Sequence, residues 1–266
     1  MNRADNKEKL PLDSYTMFQV LMSSFSSTNY TRSEFFLILN IIDSLGTNKS
    51  LSIEELSSVS GVSMSSISRF IKKLGFDNYA DFRVRMVSMI EVTRAVRKAK
   101  FGHIDALDTT PIFNNINQTK ETADLKKIRK IIKYIRSFEK RLFIGSVEDL
   151  STFSPLRKDL FACGYPCYLF YDLQTQIKML NMADNNTCII LPTVNNVYVE
   201  HYRKDINTAK KHGAGTVLFT QSLRDSFSDL FDFSYKYGED DASNFGFYSL
   251  HFLARILIEE LHNSCL

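Results

Sequence analysis

The stretch Leu51–Gly75, LSIEELSSVSGVSMSSISRFIKKLG, constrains this chain more than any other. Ser52 followed by Glu55 is a capping box, and it opens a helix over Ile53–Ser60. Gly61 breaks that helix. Ser63 caps a second one, Met64–Leu74, which stops at Gly75. Two short helices meeting at Gly61-Val62-Ser63 have the form of a helix-turn-helix. Apolar spacing turns Ile53, Leu56 and Val59 inward from the first helix, and Val62, Ile67, Phe70, Ile71 and Leu74 from the second. Met64, Ser65, Ser66, Ser68, Arg69, Lys72 and Lys73 remain on the free face. Small hydroxyl residues at a helix N-terminus let the backbone approach base edges in a major groove. Cations at its far end suit phosphates, and a helix N-terminus with a capping serine, here Ser63, can itself donate to phosphate oxygens. A plain helical hairpin would show the same spacing, so charge must decide between the two.

The whole chain, 266 residues, has a formal net charge of only +3. That average hides an uneven distribution. Residues 66–100 hold nine Lys and Arg (Arg69, Lys72, Lys73, Arg83, Arg85, Arg94, Arg97, Lys98 and Lys100) against Asp77, Asp81 and Glu91, a net +6. The excess begins on the second helix of the hairpin and has the sign of a phosphate footprint.

Around the hairpin the sequence reads as further short helices. Ser14–Ser24 places Tyr15, Phe18, Leu21 and Met22 at helical spacing, and Thr31–Leu45 places Phe35, Leu39 and Ile42 with Ile38. Thr31 and Glu34 form another capping box. Tyr79–Lys100 is helical with a basic end. Residues 1–100 are therefore expected to form an all-helical domain. The polar run Asp105, Asp108, Thr109, Thr110, Pro111, Asn114, Asn115, Asn117 reads as helix-poor, and 101–120 is expected to be a linker. Beyond it the pattern alternates. The amphipathic helix Asp124–Phe138 is followed by apolar runs at Arg141–Gly145, Tyr165–Tyr171, Thr187–Pro192 and Thr216–Thr220, with a weaker one at Phe231–Tyr237. Helical segments Pro155–Cys163, Leu173–Met182 and Val199–His212 lie between them, and Asn244–His262 closes the chain as an apolar helix expected to be buried. Continuous apolar strands alternating with helices imply a doubly wound parallel sheet over 121–266.

The hairpin and its flanks resemble the N-terminal domain of RpiR-type bacterial transcriptional regulators. The likeness runs through Thr31-Arg32-Ser33-Glu34, Ser52-Ile53-Glu54-Glu55-Leu56, Gly61-Val62-Ser63, Ser66-Ile67-Ser68-Arg69-Phe70, Lys72-Lys73-Leu74-Gly75-Phe76, Tyr79 and Phe82. Ser57 departs from it, standing where alanine is usual. The resemblance implies a homodimer or higher homo-oligomer that binds a double-stranded DNA operator. On the free face Ser65, Ser66 and Arg69 are the candidates for base edges and Lys72 and Lys73 for phosphates, with Ser63 capping the helix and Ser68 beside them. The resemblance also implies that the second domain is a SIS (sugar isomerase) domain, which commonly holds a phosphosugar at the C-terminal ends of its strands.

Here the phosphate loops of that family are altered. The loop after the first strand reads Gly145-Ser146-Val147-Glu148-Asp149, and that after the third reads Pro192-Thr193-Val194-Asn195-Asn196. Gly145, Ser146, Thr193, Asn195 and Asn196 are the candidate effector contacts. Glu148 and Asp149 stand where an anion would approach. At an effective dielectric constant of about 20, one like charge at about 4 Å costs roughly 4 kcal/mol. A degenerate scaffold, a pocket for a less anionic ligand and an ordinary sugar-phosphate site all remain open.

Neither a catalytic residue nor a cofactor nor a metal is expected. Glu148, Glu200, His201, His212 and His251 fall in no recognisable catalytic motif, and His251 is expected in the core of the last helix. Cys163 and Cys167 are separated by three residues, with no second pair for zinc. There is no P-loop and no dinucleotide fingerprint. No run approaches the ~18 apolar residues that span a bilayer, and Met1–Leu10 is polar and charged. The expected setting is the reducing cytoplasm, with no membrane partner.

Overall fold

A computed structural model describes residues 31–47, 50–74, 76–101, 108–240 and 246–264, with only the helical backbone for 92–101. The helix expected at Ser14–Ser24 and the glycine at 75 lie outside the described residues. The chain divides after Asp105 into two compact units.

In the first unit, α1 (Arg32–Gly46), α2 (Ile53–Ser60), α3 (Met64–Lys73) and α4 (Tyr79–Phe101) surround one core. Both capping boxes form: the Thr31 side chain accepts from the amide of Glu34, and Ser52 from that of Glu55. Leu37, Ile38, Ile41, Leu56, Ile67, Phe70, Ile71, Phe82 and Met86 fill the core. Two expectations fail here. In α1 the buried face is Leu37, Ile38 and Ile41, while Phe35, Phe36 and Leu39 are exposed. The run Phe35–Ile42 is so rich in apolar residues that two overlapping faces satisfy helical spacing, and periodicity cannot choose between them. Val59 of α2 is also exposed, at 57%. Beyond Leu56 the inward side of α2 belongs to serines: Ser57 donates to Val62 O at 2.7 Å and Ser60 to Leu56 O at 2.6 Å. Ser57, the departure from the family pattern, thus ties the turn to the helix before it.

The second unit begins ahead of the expected boundary. Residues 110–120, assigned to a linker from sequence, fall in α5 (Thr110–Glu121), with Pro111 in its first turn. Two of its polar residues, Asn115 and Thr119, point inward. The amide of Asn115 donates to Glu239 O at 3.1 Å, and its carbonyl accepts from Ser249 Oγ at 2.7 Å. Polarity, which in sequence suggested a solvated linker, here satisfies a buried hydrogen-bond network.

The remaining elements alternate: α6 (Leu125–Arg136), β1 (Lys140–Phe143), α7 (Val147–Ala162), β2 (Cys167–Leu169), α8 (Leu173–Asn181), β3 (Thr187–Thr193), α9 (Val197–Lys211), β4 (Gly215–Thr220), β5 (Phe233–Lys236) and α10 (Gly246–Asn263). All strand pairs are parallel, in the order β2-β1-β3-β4-β5. This is the doubly wound architecture expected of a SIS-like domain. Cys188 and Ile190 of β3 face a cluster with α6, α7 and α10, while Ile189 and Leu191 alternate to the other side, toward the layer of α8 and α9. α7 begins eight residues before the expected Pro155 start. Ser146 caps it, and Leu150, Phe153, Leu156 and Leu160 are buried along it. That burial offsets the ~3 kcal/mol that a proline costs inside a helix. α10 is buried on one face only: His251, expected in the core, is exposed, as is Tyr248.

Candidate functional site

On the helical unit, Gly61 has φ of 67°, and a Cβ there would meet nothing within 4 Å. The left-handed backbone, not lack of space, therefore demands glycine at this turn. It reverses the chain into Ser63, whose side chain accepts from the amide of Ser66 and donates to the Ser66 hydroxyl at 3.0 Å. Arg69 donates to the same hydroxyl at 3.3 Å. Ser63, Ser65, Arg69, Lys72 and Lys73 are exposed, and Ser66 and Ser68 half-buried, so the structure brings all seven residues to the outer side of α3. Beneath them Ile67, Phe70 and Ile71 anchor the helix. Lys73 pairs with Glu34 of the α1 capping box at 3.2 Å. Burial alone would raise the Glu34 carboxyl; the amide of Thr31 and the Lys73 ammonium outweigh it and hold the group below its usual range. The pair is at the surface, worth at most about 1 kcal/mol, and a phosphate can displace it. Of the later basic residues, Arg83 is exposed and Arg85 is tied to Asp81 at 2.6 Å.

The second unit places its five candidate residues at one point. β1 lies between β2 and β3, so the chain departs in opposite directions from β1 and β3, and the crevice at their C-terminal ends is a topological switch point. Gly145 and Ser146 follow β1; Thr193, Asn195 and Asn196 follow or end β3. The N-termini of α7 and α9 open onto the same crevice, and their dipoles favour negative charge.

Most polar groups there are already engaged. The Gly145 amide donates to Gln176 Oε1 at 2.9 Å, and Gln176 returns a bond to Gly145 O at 3.1 Å. Ser146 donates to Asp149 Oδ2 at 2.7 Å. Asp149 Oδ1 accepts from the Val194 amide at 3.2 Å, joining the two loops. Thr193 Oγ1 accepts from the Asn196 amide, and the Asn196 side chain binds Ser222 O and Thr220 Oγ1. Asn196 itself is left-handed, with φ of 62°. Asn195 alone of the five is exposed; Ser146 and Asn196 are buried, and Thr193 fully so. Burial pushes the Asp149 carboxyl up to about 7, against the opposing pull of the Ser146 hydroxyl. Glu148 is also raised by burial.

Gln176 was missed in the sequence. It occupies an inward position between Leu173 and Leu180 at helical spacing, and a polar residue in an apolar register was the available signal. Tyr202, which donates to Gln176 Oε1 at 2.6 Å, carried none. The histidines do not converge: His201 Nε2 is buried with no hydrogen-bond partner, whereas His262 meets Asp159 at 2.7 Å. Burial pushes the Cys167 thiol up to about 11. Among the described residues no cluster of His, Cys, Asp or Glu could hold a metal, and no helix is long and apolar enough to cross a membrane.

Comparison with known proteins bears on both units. The family model of the helix-turn-helix domain of the rpiR family matches residues 23–91. No curated protein sequence matches the chain. Among solved structures, the Vibrio vulnificus NanR protein complexed with ManNAc-6P is similar over 92% of this chain and 92% of its own, at 15% identity and a TM-score of 0.52. The sugar isomerase domain of an RpiR transcription factor from Sphaerobacter thermophilus aligns with 59% of this chain and 92% of its own, at 14% identity and a TM-score of 0.48. The NanR likeness, at that identity, is one of fold. Residues 23–91 are thus similar to the helix-turn-helix domain of the rpiR family, and the parallel α/β unit behind them has the fold seen in NanR.

Proposed function

We propose that this protein is a DNA-binding transcriptional regulator, cytoplasmic and homodimeric, with no catalytic step of its own. The observation that carries the reading is the outer face of α3, where a serine-rich N-terminus gives way to Arg69 and Lys72 within the matched domain. In this reading Ser65, Ser66 and Arg69 approach base edges, Ser63 caps the helix with Ser68 beside them, and Lys72 and Lys73 hold phosphates. Selection from random duplexes supplies the operator for a test. Arg69→Ala then narrows the preference for operator over random DNA by about 1–3 kcal/mol. Lys72→Ala, free of the Glu34 pairing that complicates Lys73, weakens all sequences alike and flattens the salt dependence by about one unit. Absence of any salt-dependent DNA binding by the wild type sinks the reading.

The C-terminal domain, in this proposal, dimerises and senses a sugar phosphate or a related, less anionic metabolite at the crevice of Gly145, Ser146, Thr193, Asn195 and Asn196. NanR, a protein of the same fold, is complexed with ManNAc-6P, and two helix N-termini open onto the crevice here. A ligand-free scaffold is the second reading, favoured by the internal pairing of Gly145, Ser146, Thr193 and Asn196. Thermal unfolding with a panel of sugar phosphates and free sugars separates them. A specific ligand at about 100 times its Kd adds about 2.7 kcal/mol, and no shift with any member alongside intact DNA binding selects the scaffold.

A further inference from the structure

The second unit has a cationic face of its own. α6 carries Lys126, Lys127, Arg129, Lys130, Lys133 and Arg136 and no acidic residue. Its four isoleucines, Ile128, Ile131, Ile132 and Ile135, are buried against the sheet, which forces the charges outward. Lys126, Arg129, Lys130 and Lys133 are exposed, and their spacing of three and four places them along one stripe. Like charges so spaced oppose one another in an isolated helix.

Of the stripe, Arg129 is paired with a neighbouring carboxylate and the three lysines are not. Asp124 caps α6 through the Lys127 amide at 2.9 Å. Glu260 of α10 is held by Arg129 at 2.7 and 3.2 Å, and Glu259 by Arg255 at 2.9 Å. Asp232 is bound by Tyr134 at 2.8 Å and Lys210 at 3.0 Å. Among the described residues no ion pair involves Lys126, Lys130 or Lys133. Three ammonium groups thus stand in a row on a rigid helix, without a counter-charge from the protein.

We propose that this stripe is a second phosphate-binding surface for duplex DNA, separate from α3. The inference rests on the regulator reading: a chain that holds DNA through one domain presents its other cations to a high local concentration of phosphates. Compact lysine charges match backbone phosphates, where each contact releases condensed counterions, and carry no base specificity.

The test uses the full chain, random-sequence duplex DNA and a salt series. Lys126→Gln, Lys130→Gln and Lys133→Gln are combined at exposed positions where glutamine keeps helix propensity. The slope of log K against log salt should become shallower by one unit or more, up to about 2.7 per protomer, at about 0.9 per lost phosphate. The corresponding triple Arg variant should keep the wild-type slope. Thermal unfolding of the Gln variant should match the wild type, so that a change in slope reports contacts rather than folding. A slope within one unit of a DNA-binding wild type overturns the proposal and leaves the regulator reading standing. A wild type that fails to bind DNA overturns both.

Discussion

The Asp149 carboxylate is fully buried, and it joins the loop after β1 to the loop after β3 by accepting from Ser146 and from the Val194 amide. Burial raises it to about 7; the Ser146 hydroxyl and the Val194 amide draw it back, while the Glu148 charge adds to the rise. In the unfolded chain the same group titrates near 3.9. Between these values the folded protein holds a proton that the unfolded chain has lost. The stabilisation is therefore complete below about pH 4 and disappears as pH rises through 7, amounting to about 4 kcal/mol at 1.36 kcal/mol per unit. Urea unfolding of the C-terminal domain should show stability falling from pH 5 to pH 8, with Asp149→Asn flattening the fall. An Asn variant with the wild-type pH slope would contradict the assignment. The sequence marked this position as acidic and close to the expected anion site. It could not show that the side chain turns inward, because that depends on the Val194 amide 45 residues away.

The same limit separates legible from illegible elements. Capping boxes and the Gly61 turn are local, so α1, α2 and α3 could be read from Thr31, Ser52 and Ser63. The strands could be read because a parallel sheet covered on both sides needs continuous apolar runs. α5 could not, since Asn115 and Thr119 look solvated until Glu239 and Ser249 arrive from far along the chain. The end of α6 is a further case. Arg141, only 1% exposed, reaches back from β1 and donates to Ile135 O at 2.9 Å, Arg136 O at 2.8 Å and also Phe138 O. Its guanidinium lies 4.7 Å from the centroid of the Tyr165 ring. A charge in an apolar strand thus caps the carbonyl end of a helix, where the dipole favours a cation. Lysine has no planar fork and cannot reproduce this set of bonds. Arg141→Lys should destabilise the C-terminal domain by about 2–3 kcal/mol, the cost of leaving buried carbonyls without partners. A loss under 0.5 kcal/mol in urea unfolding would show that the cap is dispensable.

At the scale of the whole molecule, each compact unit has a hydrophobic cluster made of its own described residues. One runs from Leu37 to Met86, the other from Ile128 to Leu261. With a core in each unit, a single two-state transition is not the expectation for the chain. Calorimetry should resolve two transitions. Phe70, 2% exposed in the first core, is a means of assigning them. Phe70→Ala should lower one transition by about 3–5 kcal/mol, from lost burial and the cavity left behind, and leave the other in place. A ligand that binds only one folded domain stabilises that domain by mass action. Operator DNA should therefore raise the transition that Phe70→Ala lowers, and a crevice ligand should raise the other. If the C-terminal domain dimerises, its transition alone should also move upward with protein concentration. Should Phe70→Ala displace both transitions equally, the two cores would be one cooperative unit, and ligand effects could no longer be assigned to one domain.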